Sequence, residues 1–160
     1  MLRRVLRPSA FTLVETLTAM AILGVAILFF QIVLRTTWFA YQDRILRANL
    51  WQEANEIAEK VTDDGRLARQ VDIAASNGAQ SATFIDKDDN VFATYTMTTG
   101  GELQVARAGG NPDVLTTHLD NMQSFFQKDG KSLILNLALQ DKNFSRNVLV
   151  KTSLDVFPRN

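Results

Sequence analysis

The sequence predicts an α+β fold: a long N-terminal helix, transmembrane in its first half and amphipathic in its second, packed on an antiparallel β-sheet head. Three observations carry this expectation. Residues 16–34 form a run of nineteen residues without a charged side chain. Pro and Gly are absent from residues 25–64, which are rich in helix-compatible Ala, Leu, Ile, Gln, Glu and Arg. From about residue 82 the helical spacing gives way to short β-type runs separated by turn residues.

The first ten residues carry Arg3, Arg4 and Arg7 and end in the small pair Ser9-Ala10. An ordinary secretory signal places its small-residue cleavage site after the apolar region, which is then discarded. Here the order is inverted. Cleavage after Ala10 would remove residues 1–10, make Phe11 the new N-terminus and keep the apolar helix on the mature chain. A helix through residues 11–34 is about 36 Å long at about 1.5 Å per residue, enough to cross a hydrocarbon core of about 30 Å. One carboxylate, Glu15, lies near its start, and an unpaired ionised side chain deep in a bilayer costs roughly 2.5–3.5 kcal/mol. Such a group calls for a partner.

The run Phe11-Thr12-Leu13-Val14-Glu15-Thr16-Leu17, preceded by the three arginines, resembles the class III signal of type IV pilins and of the pseudopilins of type II secretion systems. The resemblance implies a pilin-like fold, a leader cut by a prepilin peptidase between Ala10 and Phe11, methylation of the new Phe11 amine, and a role for Glu15 in filament assembly. Family members usually carry Gly before the cut, where this chain has Ala10. The implied partners are other pilin or pseudopilin subunits, the peptidase, an inner-membrane assembly platform and membrane lipid. The implied place is the bacterial inner membrane, crossed once with the N-terminus cytoplasmic and the head periplasmic, from which the subunit is extracted into a filament serving protein secretion or pilus biogenesis. The head has a loose likeness to the larger minor subunits, so a minor pilin or minor pseudopilin is the expected type.

The physics of Glu15 fits this independently. A free α-amine at Phe11 is cationic near neutral pH and stays so when methylated. Among staggered parallel helices, the carboxylate of one subunit would meet the amine of its neighbour in an apolar bundle, where attraction is poorly screened.

Residues 35–72 read as a continuation of the helix. Phe39, Leu46, Leu50, Ala54, Ile57 and Val61 form a stripe at helical spacing, while Asp43, Arg44, Arg47, Glu53, Glu56 and Lys60 fill other faces. Asp63-Asp64-Gly65 is a signal for loosening or ending the helix, with another turn or two available over residues 66–71. Trp38, Phe39, Tyr41 and Trp51 follow the apolar run; Trp38 and Tyr41 suit the headgroup belt, and Trp51 suits packing under the sheet or against a neighbouring subunit. In the membrane half, Gly24, Thr16 and Thr18 are residues that let helices approach closely. Residues 73–160 form the head, with strands expected at 83–85, 91–97, 103–106, 122–127, 132–139 and 148–157. Turns are expected at 86–90, 100–101, 128–130 and 141–143.

Composition bounds the chemistry. With 160 residues there is room for one modest domain beyond the anchor. The 17 basic and 17 acidic side chains balance, and loss of the three leader arginines leaves 14 against 17, so a dominantly electrostatic nucleic-acid binder is not expected. There is no Cys to staple an exported head. The cationic counts flanking the helix tie at three each, Arg3, Arg4 and Arg7 against Arg35, Arg44 and Arg47, and the compact basic leader places the N-terminus inside. Asp86, Asp88 and Asn90 begin like a calcium loop, but Val91 stands where glycine is needed and Met97 where the closing Glu belongs, so a polar turn is expected. His118, the single histidine, has no second histidine, Cys or nucleophile motif to join and reads as a loop or strand-edge residue. No enzymatic activity, cofactor or metal is expected. Two other readings stay open: a competence or adhesion-type minor pilin using a basic stripe of Arg107, Lys128, Lys131, Lys142 and Arg146, and a monomeric signal-anchored periplasmic binding module.

Overall fold

The computed structural model describes residues 12–130, 132–141 and 148–156. The element order is one helix and eight strands: α1 (Leu13–Leu67), β1 (Gln70–Ser76), β2 (Ala79–Ile85), β3 (Val91–Met97), β4 (Leu103–Arg107), β5 (Asp113–Thr116), β6 (Phe125–Asp129), β7 (Ser132–Asp141) and β8 (Val148–Val156). The α+β class read from the sequence is the observed one. The chain divides into two compact units, Met1–Gln42 and Asp43–Asn160.

In the first unit every described residue from 12 to 41 is exposed. The segment is a bare helix, apolar on all sides through residue 34.

In the second unit, Leu50, Ala54, Ile57 and Val61 of α1 are buried and Leu46 is half-buried. Their spacing keeps one stripe of the helix turned to the head while Gln52, Glu56, Glu59 and Lys60 stay exposed. The stripe joins one apolar core with Phe84, Tyr95 and Leu103 from one sheet and Leu133, Leu135, Leu137, Leu139, Val150 and Val156 from another. The sequence reading of a single sheet is refined here: β1-β2-β3-β4-β5 form a five-stranded antiparallel meander, and β6-β7-β8 form a separate three-stranded one. Side chains and a loop join them. The Gln80 side-chain carbonyl accepts a hydrogen bond from the Phe126 N–H at 2.9 Å, and Lys128 reaches Asp72 at 3.3 Å. In the loop before β6, the Leu119 N–H donates to Gly101 O at 3.0 Å and the Gln140 N–H to His118 O at 2.6 Å.

Two expectations are corrected. The helix ends at Leu67 rather than continuing toward residue 72, and residues 70–76 are strand β1, whose ladder begins with the Arg69 N–H donating to Ile85 O at 2.8 Å. The β1-β2 hairpin closes through Asn77 (φ 51°) and Gly78 (φ 81°), with Ser76 opposite Ala79. Both turn residues thus have the positive φ of a primed two-residue hairpin. The strand expected from residue 122 begins at Phe125, because Asp120 to Ser124 form a turn in which the Gln123 and Ser124 N–H groups donate to Asp120 O. Strands over residues 91–97 and from 132 and 148 stand where expected, and β5 is an addition.

The helix end is pinned by three contacts. Asp64 is 3% exposed; its Oδ2 accepts from the Tyr95 hydroxyl at 2.6 Å and from Arg107 at 3.1 Å. Burial first, and then the Asp64 carboxylate, push the Tyr95 phenol well above its ordinary range. Gly65 is the third contact, since a Cβ added there would lie 1.9 Å from Val156 Cγ1.

Candidate assembly surface

The surface to be explained is the first unit, whose polarity is concentrated at its ends. Thr12 opens the helix: its Oγ1 accepts from the Glu15 N–H at 3.3 Å, and its carbonyl accepts from Glu15 N and Thr16 N at 3.0 and 3.2 Å. Glu15 therefore stands in the first turn, where a carboxylate is favoured by the helix dipole. Among the described residues no side chain is recorded as a partner of its carboxylate. Ala10 and Phe11, the residues of the expected cut and methylation, lie outside the described residues.

Beyond Glu15 three threonine hydroxyls are satisfied on the helix's own backbone. The Thr16 hydroxyl donates to Leu13 O at 2.9 Å and the Thr18 hydroxyl to Glu15 O at 3.0 Å, while Thr36 donates to Ile32 O and Val33 O. These side chains present methyl groups outward. Gly24 opens a gap in the same wall, with nothing within 4 Å of the position a Cβ would take. Leu13, Val14, Leu17, Met20, Ile22, Leu23, Val25, Leu28, Phe29, Phe30 and Ile32 are each between 58% and 77% exposed. Burying one such side chain is worth about 1.5–3 kcal/mol, whereas the net stability of a whole domain is about 5–15 kcal/mol. A surface of this size is costly to leave in water. By length and composition the helix is long and apolar enough to cross a membrane.

The other sequence-derived candidates take structural places in the head. His118 Nδ1 lies 3.2 Å from Glu53 Oε2 of α1, so the histidine fastens the loop after β5 to the helix. Asp86 Oδ1 accepts from the Asn90 and Asp88 N–H groups at 2.9 and 2.8 Å, and these backbone donors, Asn90 foremost, hold its carboxyl below the usual carboxylate range. The 86–90 segment is a self-closed polar turn. Of the basic stripe, Arg107 is bound to Asp64 and Lys128 to Asp72; Lys131, Lys142 and Arg146 lie outside the described residues. Trp51 is 45% exposed, so the sheets do not cover it. Asp64 is the residue that sequence reasoning misjudged, as a helix-ending signal instead of a buried anchor; its pairing with residues 31 and 43 positions away left no local pattern.

Comparison with family models, curated proteins and solved structures finds no match to this chain.

Proposed function

We propose that this chain is a filament subunit of the pilin and pseudopilin type, held in the membrane by residues 11–34 before assembly and acting by assembly, without catalysis. The observation that carries the reading is Glu15: the single charged side chain in residues 12–34 of α1, a stretch exposed throughout, with no side-chain partner among the described residues. In a simple anchor the group would reach the headgroups from near the helix end, and deep in lipid it would cost roughly 2.5–3.5 kcal/mol. A subunit whose neighbour presents a cationic terminal amine turns that cost into a specific contact. The head fits the role, since within the second unit it packs on the buried stripe Leu50, Ala54, Ile57 and Val61 of the helix and has its own core.

Intact-mass measurement on membrane-extracted protein, produced where a prepilin peptidase is active, tests the proposal. Loss of residues 1–10 with one added methyl group at Phe11 is the expected result. A full-length, unmodified chain would overturn it and favour the monomeric anchored module.

A further inference from the structure

We propose that Gln31, Leu34, Arg35, Trp38 and Phe39 form a binding site for one anionic phospholipid, its phosphate held by Arg35 and its upper acyl chain laid along Leu34 and Trp38. The inference rests on the membrane-spanning part of the reading above and on nothing about the filament.

These five residues line a shallow hollow on the first unit. Arg35 is the first cation after nineteen uncharged residues, so it sits where the apolar stretch gives way to polar sequence. Its guanidinium carbon lies 5.7 Å from the centroid of the Phe39 ring. Among the described residues no carboxylate lies within salt-bridge distance of it or of Arg44, whereas Arg47, Arg66, Arg69 and Arg107 each have one. Contact with a ring face steadies the guanidinium while leaving its N–H groups free to donate, and two such donors match a phosphate bidentately. An exposed, uncompensated cation at the rim of an apolar surface is complementary to one kind of molecule, an anion joined to hydrocarbon.

The neighbouring groups complete that match. Leu34 and Trp38 are 53% and 61% exposed and offer apolar area beside the cation, while Tyr41, 57% exposed, supplies a second ring suited to the headgroup layer. Gln31 adds an amide one turn inward, within the hollow.

The test uses the full chain carrying Trp51→Phe, which leaves Trp38 as the sole tryptophan. It is reconstituted in vesicles of equal parts phosphatidylglycerol and phosphatidylcholine, with one lipid or the other brominated on its acyl chains. Trp38 quenching should report about a fivefold preference for phosphatidylglycerol, as one well-placed basic residue confers near an anionic surface, and Arg35→Gln should bring the preference to about unity while flotation with vesicles is unchanged. Equal quenching by both lipids would overturn the site and leave the membrane reading standing, as would a preference that survives Arg35→Gln. Weak quenching by both lipids together with crosslinking between Trp38 positions of two chains would assign the face to a second copy instead. Failure to float with vesicles would overturn the membrane reading and the site together.

Discussion

Gly65 gives the sharpest mechanical test of how the helix end meets the head. A methyl group placed there would lie 1.9 Å from Val156 Cγ1 and 3.3 Å from Val156 Cβ, with Phe84 at an ordinary 3.7 Å. Val156 is 2% exposed in β8 and has no room to retreat, so Gly65→Ala forces overpacking of the kind that costs about 1–3 kcal/mol, here at the upper end. Against this, alanine in a helix is better than glycine by up to about 1 kcal/mol. The net expectation in the natural background is a loss of about 2 kcal/mol. Val156→Ala alone removes two buried methyl groups and should cost about 2–3 kcal/mol. It also removes the clashing atom. In that background Gly65→Ala should therefore stabilise, by up to about 1 kcal/mol, so the sign of the same substitution reverses and the two positions couple by about 3 kcal/mol. Urea unfolding of the full chain in detergent micelles, followed by Trp51 fluorescence with an unchanged m-value, reads all four corners of the cycle. If Gly65→Ala lowers stability equally with Val156 and with Ala at position 156, close approach to β8 is not why glycine is there.

Three further outcomes follow from the same contacts. Asp64→Ala should cost about 2–4 kcal/mol because it strands the buried Tyr95 hydroxyl, whereas Arg107→Ala should cost under about 1 kcal/mol because that side chain is 60% exposed and its share is screened; equal losses in urea unfolding would contradict this division. Tyr95 keeps its proton to higher pH folded than unfolded, so its contribution is fully present below about pH 10 and is lost as pH rises above that; the natural protein should lose up to about 1.4 kcal/mol per pH unit there relative to Tyr95→Phe, and parallel pH profiles would remove the phenol from the account. Glu15→Ala should leave membrane insertion intact and weaken subunit association by about 3–5 kcal/mol, since it leaves a neighbour's amine unpaired; unchanged co-purification with the other subunits would take Glu15 out of the mechanism.

Elements governed by local chemistry were readable from the sequence. The apolar run announced its helix by length, while the stripe Leu50-Ala54-Ile57-Val61 and the alternation of Leu133, Leu135, Leu137 and Leu139 repeat at the period of the structure they form and are buried. The misses have two sources. Strand β1 lies immediately after a helix and contains Ala74, Ala75 and Ser76, residues of weak β preference, so no strand was expected there and the helix was carried on to residue 72. The adjacent Asn77-Gly78, a strong local hairpin signal, marks the turn that composition obscured. The division into two sheets could not be read at all, because it depends on Gln80 and on loop carbonyls serving backbone donors far away in sequence. The candidate site divides similarly. The exposed apolar helix and Glu15 follow from patterning alone, and residues 16–42 hold no carboxylate to pair with Arg35, whereas the contact of Arg35 with the Phe39 ring needs coordinates.

The change in the width of the apolar stripe is the strongest statement the chain makes about its surroundings. In the second unit the helix buries one narrow face and keeps charge on the others, a pattern that balances a protein core against water. In residues 16–34 the apolar surface runs all the way round, and even the hydroxyls of Thr16 and Thr18 are turned onto their own backbone. A helix buried in the core of its own chain would show the same pattern, but this one is exposed throughout. By length and composition such a helix suits a membrane, and under the proposed function a bundle of similar helices is its second environment. Lipid accommodates the apolar residues and leaves Glu15 to reach the headgroups from the first turn. A bundle accounts for Glu15 as well, provided that a cation is made at the N-terminus of the neighbour. Under the proposal, whether Phe11 becomes a processed, cationic N-terminus decides between the two environments.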